Sequence, residues 1–132
     1  MSITPIINYW RTSAKNDLKV AQGLLKLRQY SHCLFFCHLT LEKMLKAVYV
    51  QRQRKHAPYI HDLVILGRKA GLSFSAGQRD SLETITSFNI QGRYAEYKSD
   101  FYKRFHKRAA AQKYFAITQS LMVWLEKELI QR

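Results

Sequence analysis

The stretch Ser31–Gln53, SHCLFFCHLTLEKMLKAVYVQRQ, decides the fold. Its apolar residues recur at steps of three and four, so Cys33, Cys37, Leu41, Met44, Leu45 and Val48 share one face of a helix. Phe35 and Leu39 fall on nearly the opposite side, and Glu42 and Lys46 continue their strip. A helix that is apolar on two sides packs on two sides. It is therefore central in a bundle, or it shares its second strip with another subunit. Glu42 precedes Lys46 by four residues, the favourable order for an ion pair.

Outward from this helix the pattern stays helical. Toward the N-terminus, Thr4 and Pro5 form an N-cap and a first turn. Trp10, Ala14, Leu18, Ala21 and Leu25 then line one helical face, and Arg28-Gln29-Tyr30 closes it. Toward the C-terminus, residues 55–60 form a loop pinned by Pro58. A short third helix opens near His61 and stops at Gly71. Ser75 with Gln78 is a capping box for a fourth helix carrying Leu82, Ile85 and Phe88. After a connection around Gly92, the last helix is expected from Ser99 or Asp100 to about Ile130. Its stripe is Tyr114, Thr118, Leu121, Met122, Leu125 and Leu129, with Trp124 on the shoulder. No strand, repeat, low-complexity tract or linker is visible. The expectation is an all-α, up-and-down antiparallel bundle of four to five helices, forming a single domain over residues 1–132.

Composition agrees: 47% apolar residues with only two prolines and five glycines favour long helices. Twenty-two Lys and Arg against nine Asp and Glu give a net charge of +13, a field that attracts polyanions. Nucleic acid, nucleotides or an acidic protein are the partners such a field fits, against the plain alternative of a solvated basic surface. Cys33 and Cys37 lie one turn apart on one face, beside Leu34 and Phe36, and read as small buried apolar groups. With His32 and His38 beside them a metal site is conceivable, but there is no second cysteine pair, and no metal or cofactor is expected. The N-terminal residues show no secretory pattern and no apolar run is long enough for a membrane span. A cytoplasmic protein without membrane contact is the expectation.

The chain carries no glycine-rich phosphate loop, no HExxH and no carboxylate cluster fit for two-metal chemistry. Two basic clusters remain. One is Arg52, Arg54, Lys55 and His56. The other is Lys98, Lys103, Arg104, His106, Lys107 and Arg108, interleaved with Tyr97, Phe101, Tyr102 and Phe105. Arginine and lysine grip phosphates and exposed rings stack bases, although Phe101 and Phe105, four apart, equally suit a core. The nucleic-acid candidates are Arg52, Arg54, Lys55, Lys103, Arg104, Lys107 and Arg108. His61 and Asp62 open the third helix, where Asp62 suits a cap.

Several segments together resemble the HEPN family, the nucleotide-binding helical domain of higher eukaryotes and prokaryotes. They are WRTSAKNDLKVAQGLL (10–25), YSHCLFFCHLTLEKMLKAVYV (30–50), HAPYIHDLVILGRKAGL (56–72), FNIQGRYAEYK (88–98) and WLEKEL (124–129). The resemblance runs from about Asn8 to Glu128. It matches the family's Glu-Lys-x-x-Lys at Glu42, Lys43 and Lys46. It departs at the Thr-His-Asp-Leu corner, where Ile60 stands for threonine, and at Arg-Tyr-Pro, which here is Arg93-Tyr94-Ala95. The resemblance implies a homodimer, often paired with a minimal nucleotidyltransferase in toxin–antitoxin systems. Many members are metal-independent ribonucleases that pool Arg-x4–6-His motifs across the dimer. Arg54 and His61 match that spacing, but they flank Pro58 in the loop before the third helix, whereas the family motif lies at or after the fourth. The reading is therefore a non-catalytic nucleotide-binding or accessory protein. Glu42, Lys46, His61, Asp62, Arg93 and Tyr94 are its candidate ligand contacts, and Phe35, Leu39, Glu42 and Lys46 its candidate association strip. The alternatives are a ribonuclease toxin using Arg54 and His61, or a protein binding RNA through its basic face.

Overall fold

A computed structural model describes residues 2–90 and 103–130 of the chain. Helix α1 spans Thr4–Lys26, α2 Tyr30–Gln53, α3 Leu63–Lys69, α4 Ala76–Thr86 and α5 Arg108–Ile130, with a 3-10 turn at Ser87–Ile90 after α4. No strand occurs among the described residues. The all-α expectation holds, and α2 begins within one residue of the start read from sequence.

Local chemistry sets the ends. Pro5 lies in the first turn of α1, but Thr4 is already helical and no side chain caps this end. Arg28, at φ 61°, reverses the chain after α1. Arg54, at φ 55°, does the same after α2, and its N–H bonds the carbonyl of Val50. Asp62 caps α3 by accepting from the Ile65 N–H at 3.0 Å. Gly71, at φ 89°, ends it in a left-handed conformation that costs side-chain-bearing residues about 1–2 kcal/mol. The capping box of α4 is complete: Gln78 N–H donates to Ser75 Oγ at 3.0 Å, and Ser75 N–H to Gln78 Oε1 at 2.9 Å.

The last helix departs from its expected start. Residues 103–105 are helical, His106 and Lys107 are not, and α5 begins at Arg108. Phe105 turns inward there, edge-on to Phe88 at 5.0 Å and to Tyr114 at 6.2 Å.

Named contacts fix the chain directions. Lys43 meets Ser13 and Asp17 while Lys46 meets Trp10, so α1 and α2 are antiparallel. Arg52 reaches both Gly71 and Glu128, which places the ends of α2, α3 and α5 at one end of the bundle. Leu63 N–H donates to Thr86, so α4 returns along α3. Arg11 binds Glu126 through two hydrogen bonds of 2.7 and 2.6 Å, closing α5 onto α1. α1, α2, α4 and α5 therefore alternate in direction, as in an up-and-down bundle, while the short α3 runs parallel to α2 because the loop before it returns along α2.

α2 is the centre of the bundle, one of the two arrangements its pattern allowed. Leu34, Leu41, Met44, Leu45 and Val48 are fully buried, with Leu63, Leu66, Leu82, Ile85 and Leu125 around them. Each such side chain contributes about 1.5–3 kcal/mol, against a few tenths for an exposed helical ion pair. The core therefore holds the bundle and the charges tune it. Cys33 and Cys37 are free and buried, in a cluster with Ala21 and Phe115. The bond to Cys37, then burial, push the Cys33 thiol up, so it remains protonated.

Candidate functional site

Side chains from α1, α2 and the loop before α3 converge on Glu42. His61 Nδ1 lies 2.8 Å from Glu42 Oε1, and Lys46 Nζ lies 3.1 Å from Oε2. His38, one turn before Glu42, stands 3.8 Å from the same Oε1. Its Nε2 donates to the carbonyl oxygen of His61 at 2.9 Å. The Lys46 ammonium lies over the Trp10 ring at 5.2 Å and the Tyr59 ring at 5.8 Å. The His61 and Tyr59 rings meet edge-on at 5.4 Å.

Glu42 and Lys46 are each 6% exposed, so neither charge is solvated by bulk water. Burial pushes the Glu42 carboxyl up. The hydrogen bond from His61 and the charges of Lys46 and His38 outweigh it and hold the group below its ordinary range. Because Glu42 accepts from His61 Nδ1, the other ring nitrogen, Nε2, is the one left for chemistry. The His61 side chain is 30% exposed. A histidine oriented by a buried carboxylate is a general acid–base arrangement. It is equally a latch, since His61 is tied to α2 by both its ring and its carbonyl.

That latch makes residues 55–62 run back along α2, with Ala57 and Ile60 packed on the core. It also separates Arg54 from His61. Arg54 sits at the C-cap of α2, twelve residues beyond Glu42, which is about 18 Å along a helix axis. There it lines a cavity of about 500 Å³ with Ser2, Ile3, Thr4, Ile7, Gln51 and Arg52. The two halves of the literal Arg-x6-His match are thus held at different levels of the bundle.

The other candidates divide. Glu42, Lys46 and His61 come together. Glu42 and Lys46 are covered within the monomer, whereas Phe35 and Leu39, the rest of that strip, are half-buried. Asp62 is engaged as the α3 cap. Arg52 is engaged by Glu128 at 2.8 Å and Gly71. Arg54 and Lys55 are exposed, as are Lys103, Arg104, Lys107 and Arg108. The two basic clusters do not form one patch. Thr118 lies beside Cys37, so Arg108 lies ten residues to one side of that level and Arg54 seventeen residues to the other. At 1.5 Å per residue, they stand on the order of 40 Å apart along the bundle. Arg93 and Tyr94 lie outside the described residues, as do Tyr97, Lys98, Phe101 and Tyr102. Among the described residues no group of three His, Cys, Asp or Glu is placed to hold a metal ion. No helix among them is long and apolar enough to cross a membrane.

Sequence reasoning missed the parts that His38, Tyr59 and Trp10 play. The His38–Glu42 spacing of four was a usable signal. Tyr59 had none, because its position depends on the loop folding back.

Comparison with known proteins gives a consistent result. The HEPN domain family model matches residues 7–129. Among solved structures, TT1696 from Thermus thermophilus is similar, with a TM-score of 0.78 and 18% identity, covering 93% of this chain and 98% of that one. At that identity the likeness concerns the fold. No curated protein matches the chain. With the family match reaching from Ile7 in α1 to Leu129 in α5 and taking in every helix of the bundle, the chain belongs to the HEPN domain family.

Proposed function

We propose that this HEPN protein is a non-catalytic binding module for an anionic ligand, a nucleotide or a nucleic acid. The observation that carries this reading is the separation of Arg54 from His61. Phosphodiester cleavage without a metal needs a cation on the phosphate beside the group that moves the proton. Here the exposed cation and the available histidine nitrogen sit at different levels, and the nearer cation, Lys46, is buried against Glu42. The net charge of +13 supports an anionic ligand. By family likeness, we place the protein as a cytoplasmic homodimer that serves a minimal nucleotidyltransferase, in a toxin–antitoxin pair.

One observation favours a second reading. The Glu42–His61 pair is built like a general acid–base, and in a homodimer the partner could supply the arginine, which would make the protein a ribonuclease toxin. A single assay separates the two: RNA cleavage by purified protein in excess EDTA, with His61→Ala alongside. No cleavage by either is the expected outcome. Cleavage by wild type that disappears in a folded His61→Ala variant overturns the binding-module reading.

A further inference from the structure

We infer that the loop between α2 and α3 is a binding site for single-stranded nucleic acid, with Tyr59 as the ring on which a base stacks. This deepens the anionic-ligand reading above and rests on it.

Tyr59 is 91% exposed, the most exposed large apolar side chain described. A phenol ring left open to water loses the burial that its area would otherwise give. Yet the ring is held in place. The Lys46 ammonium stands 5.8 Å from its centre, and the His61 ring 5.4 Å away, edge-on. Each neighbour is itself anchored, Lys46 by Glu42 and His61 by both Glu42 and His38. Ala57 and Ile60, on either side in sequence, are packed on the core. The ring is therefore presented by fixed backbone, and two neighbours orient it without covering it. Little ordering entropy remains to be lost when a planar ligand lies on it.

Charge selects the occupant. Arg54, Lys55 and His56 are exposed and lead directly to Tyr59. Lys46, at the level of Tyr59, is eight residues from Arg54 on α2, or about 12 Å. The loop thus carries two permanent cations and a histidine in the few residues before the open ring. The acids nearby are both engaged: Glu42 is buried against Lys46 and His61, and Asp62 caps α3. A row of cations tracking a backbone, beside an aromatic face, is the pattern that binds single strands. In a duplex the base faces are stacked on one another, so the ring has nothing to take up.

The test is fluorescence anisotropy with a labelled single strand of about ten nucleotides, within the site sizes such surfaces cover. The same sequence as a duplex is measured in parallel. Wild type, Tyr59→Ala and Tyr59→Trp are compared, with thermal melting to verify folding. Stacking is worth about 1–3 kcal/mol per base, so Tyr59→Ala is expected to weaken single-strand binding about 5- to 150-fold. Tyr59→Trp should retain it, and duplex affinity should not move. Equal single-strand affinity in wild type and Tyr59→Ala overturns this inference and leaves the binding-module reading standing. So does a Tyr59→Ala variant that binds single strands normally but loses a dimer seen by light scattering, because the ring is then a contact between chains. Absence of binding by wild type to single strand, duplex and nucleoside triphosphate alike overturns both.

Discussion

Replacing Glu42 by glutamine keeps the shape of the side chain and removes its charge. Lys46 would then be a buried ammonium without its counter-charge, and losing one member of a buried pair costs about 3–5 kcal/mol. A glutamine that still accepts one hydrogen bond recovers part of this, so a loss of about 3 kcal/mol at pH 7 is expected by urea denaturation. The pH dependence has a definite sign. Glu42 titrates below its ordinary range in the folded state. Its contribution is thus full above the unfolded value of about 4.3 and disappears as the pH falls through the folded one. Wild type and Glu42→Gln should differ at neutrality and converge in acid. Parallel curves down to low pH would show that the carboxylate is not the source of the difference. The Glu42–Lys46 half of this cluster was legible from a spacing of four. The His61 half was not, because the two residues are nineteen apart and meet only when the loop reverses.

Element boundaries test how far local rules reach. α3 has only seven residues, and Gly67 lies inside it. Alanine is the better helix former by about 1 kcal/mol. A Cβ at this position, however, would run into the Phe74 ring. That ring packs edge-on to Trp124 at 6.0 Å, and Leu72 N–H fixes the Gly67 carbonyl at 3.0 Å, so neither side yields freely. Overpacking costs about 1–3 kcal/mol. Gly67→Ala is therefore expected to lose about 1 kcal/mol net in chemical denaturation, and a gain would mean that the ring swings aside. Other boundaries were plain in the sequence. Gly71 and the Ser75–Gln78 box are local devices and act locally. The start of α5 was hidden for the opposite reason. No glycine or proline interrupts Ser99–Ala110, and the break at His106 and Lys107 coincides with Phe105 packing against Phe88 and Tyr114. Tertiary packing decided what propensity left open.

The charge of the whole molecule should show itself as salt dependence. Each phosphate neutralised on a single strand contributes a slope of about −0.7 in log affinity against log salt. Four such contacts would weaken binding about 50-fold between roughly 50 and 200 mM salt. A titration of the labelled single strand across that range is expected to show this fall, and Arg54→Ala with Lys55→Ala should flatten it. An unchanged affinity would rule out electrostatic recognition. The basic residues were legible as two clusters, but their separation was not. It follows from which ends of the bundle α2 and α5 place them at, and a residue list carries no such distance. The Arg11–Glu126 pair, joining residues 115 apart, bears on how the chain is made. During synthesis α1 and α2 emerge first and can form their hairpin at once. The side of α2 that Leu121, Leu125 and Leu129 will cover stays bare until α5 has been translated. A ribosome stalled late in the message would therefore hold a folded hairpin with an open, sticky flank, the form of this protein most in need of a chaperone.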